Sequence, residues 1–308
     1  MNSLRISIVQ YLNTAPLVRG FTHGALRGKY ELSFTVPSQC AEALRTGAAD
    51  VAIIPAIEYQ RIPDLVILPN LAIASKRRVR SLLLISRKPI EQLQQVALDR
   101  SSRSTQALVR ILCKGYCQHA PEFFEAAPDV PAMLANADAA LLIGDPALQL
   151  AVAAGADAER AGDGASVIPA KLAGLAEEAT LFVYDVVELW RKKTDAAAVL
   201  AVWAAGKHVV TPELVKDFQD SLAYGLSQLD AIATEAAKEL ALPALELRRY
   251  LSENIDYQLD EESVRGLRLF FALAAEQGLI DRVDGLAIAA EPSGPARYHD
   301  VLAAKKSQ

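Results

Sequence analysis

Short apolar, β-branched runs that each hand over to a helix start within a few residues are the feature that most narrows what this chain can fold into. Residues 5–9 (Arg-Ile-Ser-Ile-Val) alternate like a strand, 10–14 form a polar loop, and Pro16 stands where the first turn of a helix tolerates a missing N–H. The pattern recurs: a strand over 31–36, a helix opening at Pro37-Ser38 with Ser38 as N-cap and Gly47 as its stop, then a buried strand over 50–54 ending at Pro55. A strand over 79–86 precedes Arg87-Lys88-Pro89, polar punctuation suited to a domain crossing. A second set follows: a strand over 95–99, a polar turn over 100–104, a helix from Thr105, a strand over 138–144 with a helix start at Asp145-Pro146, and an extended run over 180–184. Residues 198–203 lead back to the first set, 211–278 read as helical with starts at Thr211 and Asp260, and the chain after about 281 reads as a loose tail broken by Pro292, Gly294 and Pro295. Strands alternating with helices predict an α/β fold. Two sets joined by two crossings predict two lobes, 1–88 plus 199–308 and 89–198, with a ligand cleft between them and hinges near 86–90 and 196–201.

Composition excludes several classes. Of the 308 residues 52% are hydrophobic, enough to offset the ordering entropy of folding, so disorder is not expected. The net charge is −5 without a dense Lys/Arg block, which argues against nucleic-acid or anionic-membrane partners. No secretory leader or run long enough to cross a bilayer is evident, and the three cysteines, Cys40, Cys113 and Cys117, are an odd number that suggests reduced thiols; a cytoplasmic setting is expected. Alanine-rich stretches read as close helix packing, and no long internal repeat emerges.

The most informative segment is 96–106, where a strand ends in Ser101, Ser102, Ser104 and Thr105 and opens a helix. Free backbone N–H groups, hydroxyls and the positive end of the helix dipole meet there, which suits a carboxylate or phosphate; the same residues also serve as an ordinary N-cap with redundant serines. Ser38 is a weaker case of the same kind. Asn13 lies in the polar loop after the first strand, at the edge where open α/β sheets bind ligands. Ser81 is a lone hydroxyl in an apolar strand, and Asp145, beside Gly144, is an N-cap within reach of a ligand. Arg77, Arg78 and Arg80 read as a solvated turn. Cys113, Cys117 and His119 lack a fourth ligand, so no metal site is expected. Neither a phosphate-binding glycine loop nor a nucleophile elbow is present, so no cofactor is expected.

Tyr11-Leu-Asn-Thr-Ala-Pro16, Pro37-Ser-Gln-Cys-Ala-Glu42, residues 47–59, Val79-Arg-Ser-Leu-Leu-Leu84, Leu98-Asp-Arg-Ser-Ser-Arg-Ser-Thr105 and Ala139-Ala-Leu-Leu-Ile-Gly-Asp-Pro146 together resemble the chorismate dehydratase family of the futalosine route to menaquinone. The likeness runs over about 4–279. It implies the two-lobed fold of type II periplasmic solute-binding proteins and conversion of chorismate to 3-[(1-carboxyvinyl)oxy]benzoate and water. It also implies Asn13 and Ser81 as cleft residues, with Ser38 and the 101–105 loop as further lining; Asn13 and Ser81 are taken as the catalytic pair, expected to position the departing hydroxyl and the carboxylate. Arg80 and the run Asp195-Ala-Ala-Ala depart from the family pattern.

In such a reaction two helix starts can bind the two carboxylates of chorismate, and aromatisation supplies the driving force. The resemblance implies substrate assistance, with the enolpyruvyl carboxylate taking the proton. None of His23, His119, His208 and His299 lies in a cleft motif, which fits that scheme. It counts against the alternative of a 1,4-dihydroxy-6-naphthoate synthase-like lyase, where a catalytic His is expected. A non-catalytic cytoplasmic solute-binding protein is the second alternative.

Overall fold

A computed structural model describes residues 3–155, 164–176 and 178–291. Pro292, Gly294, Pro295 and His299 lie outside the described residues. The strands are β1 (Arg5–Val9), β2 (Glu31–Thr35), β3 (Val51–Pro55), β4 (Leu65–Ser75), β5 (Leu82–Ser86), β6 (Gln95–Asp99), β7 (Glu122–Ala126), β8 (Ala139–Ile143), β9 (Ser166–Pro169), β10 (Thr180–Asp185) and β11 (Ala198–Gly206). The helices are α1 (Ala15–His23), α2 (Pro37–Arg45), α3 (Arg103–Tyr116), α4 (Val130–Leu134), α5 (Gly144–Ala154), α6 (Val186–Thr194), α7 (Pro212–Ser227), α8 (Leu229–Leu240), α9 (Ala244–Arg249) and α10 (Glu261–Glu276).

They build two mixed sheets, in the orders β2-β1-β3-β11-β4 and β7-β6-β8-β5-β10-β9. β1 is parallel to β2 and β3, and β6 is parallel to β7 and β8; β11 and β5 enter their sheets antiparallel. Central strands such as β3 (Val-Ala-Ile-Ile-Pro) and β8 (Ala-Ala-Leu-Leu-Ile) are buried throughout, as expected where helices cover both faces of a sheet.

β5 belongs to the second sheet, so the chain crosses before Leu82 rather than at 86–90. Residues 79–81 are not part of the strand, because Arg80 takes a left-handed φ of 65°. That costly backbone is held by Asp185, whose carboxylate accepts the amides of Val79 (3.0 Å) and Arg80 (2.6 Å) and also caps α6 through Val187 (3.0 Å) and Glu188 (3.1 Å). One buried carboxylate therefore ties the outward crossing to the element that begins the return.

The tail expected from 281 is also ordered as far as it is described. Ala287 and Ala289 bond with Ile67 on the open edge of β4 (2.8 and 2.9 Å), and Tyr59 holds Gly285 and Ala287. The segment thus covers an edge that would otherwise expose unpaired backbone.

The turn that carries Asn13 is fixed from beneath. α1 crosses α7 at glycines: a Cβ on Gly225 would lie 1.9 Å from the carbonyl oxygen of Pro16, and one on Gly20 would lie 2.5 Å from Cα of Ser221. Phe21 and Trp203 both meet Phe218 edge-on, with ring centroids 4.9 and 4.8 Å apart, contacts each contributing about 1 kcal/mol beyond area burial.

Candidate functional site

The carboxyl ends of parallel strands from both sheets converge on one cavity. Its wall takes Val9 from the end of β1, Pro55 from the end of β3 and Ile143 from the end of β8, with Ser102 and Thr105 from the start of α3, after β6. This is the edge at which open α/β sheets bind ligands. Tyr11, Asn13, Leu82, Gly144 and Leu200 complete much of the lining, and the cavity volume is about 50 Å³. Sites for drug-sized ligands span roughly 300–1,000 Å³, so a ring with two carboxylates needs the two sheets to part or Tyr11 to swing. Tyr11 closes the cavity on one side. Its ring packs on Gly144, whose φ is 70° and where a Cβ would stand 2.7 Å from two ring carbons. Its hydroxyl lies 3.4 Å from Ser101 Oγ, and burial raises the affinity of the phenol for its proton.

Of the hydroxyls at the head of α3, Ser102 and Thr105 line the cavity, with Ser102 donating to Thr105 Oγ1 at 2.8 Å; both are buried. Ser102 occupies the cap position without capping by its side chain, so the first-turn amides of α3 remain available as anion donors. The other two serve the fold. Ser101 donates its hydroxyl to Asp99 Oδ1 (2.7 Å), and Ser104 Oγ accepts the amide of Ile57 (3.1 Å). Next to Ser104, Arg103 pairs at 2.8 Å with Glu58, a fully buried carboxylate also bound by Arg45 and Arg61. Burial pushes the Glu58 carboxyl up, but the arginines outweigh it and hold it below the ordinary value.

Two expected N-caps take other roles. Val36 caps α2 and Pro37 is its first residue, so Ser38 falls inside the helix, its amide bonded to the carbonyl of Ser101 at 3.1 Å; Pro37 rather than Ser38 lines the cavity. Ile143 occupies the cap of α5, and Asp145, one residue into the helix, accepts the amide of Leu12 (3.1 and 3.3 Å to its two oxygens). Burial, and to a lesser degree Glu239, pushes the Asp145 carboxyl up to about 6 against the effect of that amide.

Asn13 lines the cavity, whereas Ser81 is buried just behind the wall, one residue before Leu82, with its carbonyl accepting the amide of Gly144 (2.8 Å). Both meet a residue that the sequence did not single out. Tyr250, in a π-turn over Tyr250–Asn254, donates its phenol to Ser81 Oγ at 2.9 Å. Burial raises the proton affinity of this phenol, with Ser81 and Asn13 opposing the rise through hydrogen bonding. A π-turn depends on three-dimensional helix geometry, and nothing in the residues Arg249-Tyr-Leu251 announces it. Arg80 is ion-paired to Glu246 (2.9 Å) rather than solvated. None of the three described histidines, His23, His119 and His208, lines this cavity, and among the described residues no cluster of three His, Cys, Asp or Glu could hold a metal. Cys40, Cys113 and Cys117 are free thiols, and no described helix is long and apolar enough to cross a membrane.

Similar proteins carry the same architecture. A chorismate dehydratase of Thermus thermophilus is 28% identical over 268 residues, 86% of this chain and 93% of the relative. Among solved structures, Archaeoglobus fulgidus protein AF1704 superposes with a TM-score of 0.66 at 15% identity, covering 90% of this chain and 98% of that one. The periplasmic aliphatic sulphonate binding protein of Escherichia coli does so with 0.59 at 18% identity, covering 92% and 94%. These neighbours give the fold as periplasmic-binding-protein-like. The model of a family described as menaquinone biosynthesis matches residues 4–276, nearly the whole described chain, and the protein belongs to that family.

Proposed function

We propose that this protein is a chorismate dehydratase, a carbon–oxygen hydro-lyase of menaquinone biosynthesis that acts in the cytoplasm and converts chorismate to 3-[(1-carboxyvinyl)oxy]benzoate and water. The observation that carries this reading is the convergence of Asn13 and the Ser102–Thr105 hydroxyl pair at the head of α3 on one small cavity at the strand ends, in a family member similar over most of its length to a chorismate dehydratase. Amides at a helix start favour a carboxylate without a full cation beside it.

In this reading a ring hydroxyl and a hydrogen on the neighbouring carbon leave together. The C–H electron pair becomes the new ring double bond as the ring C–O bond breaks. The enolpyruvyl carboxylate of the substrate takes the ring proton and passes it to the departing hydroxyl, which leaves as water, while Asn13 and Ser81 orient that hydroxyl and that carboxylate. The residues serve mainly to hold one reactive conformer and to exclude water. Steady-state assays of Asn13→Ala and Ser81→Ala test the assignment. Losses of roughly 100-fold or more in kcat are expected where a residue positions the reacting groups, and near wild-type turnover in both overturns it. Thermal stabilisation by chorismate with no product would favour a solute-binding protein instead.

A further inference from the structure

Ser81, buried just behind the cavity wall, sits in a segment gripped from two directions. The preceding residue, Arg80, keeps a φ of 65° because the Asp185 carboxylate accepts its amide, and its guanidinium pairs with Glu246 in α9 at 2.9 Å. One turn beyond Glu246, Tyr250 is 1% exposed and donates to Ser81 Oγ at 2.9 Å. α9 and the π-turn after it therefore grip residues 80–81 twice, once by charge and once by a buried hydrogen bond. A serine oxygen carries one proton and two acceptor lone pairs. With one lone pair taken by the Tyr250 phenol, the Ser81 proton is free to donate elsewhere, and the cavity wall begins at the adjacent Leu82.

We propose that Tyr250 is a positioning residue of the site: by donating to Ser81 Oγ, it fixes the Ser81 hydroxyl so that its proton is presented to an oxygen of the ligand. The proposal rests on the chorismate dehydratase reading. Tyr250 does not touch the substrate in this scheme and acts through Ser81, so its effect depends on Ser81 being present.

The test is a double-mutant cycle on the full chain with chorismate as substrate. Tyr250→Phe removes only the hydroxyl, and kcat is expected to fall roughly 10–100-fold, as for loss of one buried hydrogen bond, with KM changed by less than about threefold. In the Ser81→Ala background the same substitution is expected to cost less than about twofold, because the group it orients is gone. An equal loss in both backgrounds, or kcat of Tyr250→Phe within about twofold of wild type, overturns the proposal. Should Tyr250→Phe not fold, 3-fluorotyrosine encoded at position 250 keeps the ring and donates more strongly. It is expected to change kcat in the otherwise wild-type chain and not in the Ser81→Ala chain, and no change in either overturns the proposal. Absence of product from the wild-type protein overturns the functional reading and this inference together; wild-type turnover with an unaffected Tyr250→Phe overturns this inference alone.

Discussion

The carboxylate of Asp145 accepts the backbone amide of Leu12 at 3.1 Å, joining the first turn of α5 in one sheet layer to the loop after β1 in the other. The bond lies next in sequence to Tyr11 and Gly144, both of which line the cavity, so it ties the two sheet layers together at the cavity's edge. Because the carboxyl is half-buried and opposed by Glu239, it keeps its proton up to about pH 6.

A pH dependence follows. An unfolded Asp ionises near pH 4, so between about 4 and 6 the unfolded chain gives up this proton before the folded one does, and the contribution of Asp145 to stability falls as pH rises through that window. The loss is up to about 3 kcal/mol. Asp145→Asn, which keeps an acceptor for Leu12, is expected to gain stability relative to wild type between pH 4 and 7 in denaturant titrations. A difference between the two proteins that does not vary with pH contradicts the assignment.

Glu58 works in the opposite sense. Its carboxyl is held below its ordinary value, so its stabilisation is present above the pKa of the unfolded residue and disappears as pH falls through the folded value. Glu58→Ala is expected to lower stability at pH 7 by about 3–5 kcal/mol, since three guanidinium groups lose a buried partner, and to flatten the acid side of the stability curve. Equilibrium unfolding at pH 7 and at pH 4 measures both effects.

Asp185 gathers four amides from the outward crossing and the start of α6. Asp185→Ala removes the helix cap and leaves the left-handed Arg80 unsupported, and a loss of about 2–4 kcal/mol is expected, read as a lower Tm.

Gly144 is required twice, by its φ of 70° and by the Tyr11 ring lying where a Cβ would go. Gly144→Ala is expected to cost about 2 kcal/mol or more and to displace Tyr11, so KM for chorismate should rise together with the loss of Tm.

The strand-to-helix rhythm made most of the fold legible, because short buried strands with Pro or Gly at their ends carry a local signal. Legibility ended where distant residues decide. Val79-Arg-Ser81 reads as strand, yet Arg80 is turned left-handed by a carboxylate 105 residues away. Ser38 reads as a cap, but Pro37 takes the first helical position and moves the cap back to Val36. At the head of α3 four adjacent hydroxyls look alike, and only the fold sends Ser101 to Asp99 and Ser104 to Ile57 while leaving Ser102 and Thr105 on the cavity. Tyr250 was invisible because its partner Ser81 lies 169 residues away and its π-turn has no sequence signature.

The lobe arrangement makes a further prediction. A cavity of about 50 Å³ does not admit the substrate, so the ligand-free chain in solution is expected to sample a more open form that chorismate closes. Small-angle scattering with and without ligand reads this as a smaller radius of gyration on binding, and identical curves contradict it.

The most direct measurement is to incubate the purified wild-type and Asn13→Ala proteins with chorismate and follow the small molecules by mass spectrometry. The account predicts that wild type forms 3-[(1-carboxyvinyl)oxy]benzoate, lighter than chorismate by one water, and that Asn13→Ala forms it far more slowly at unchanged fold. Chorismate recovered intact from wild type, or equal rates from both proteins, would contradict it.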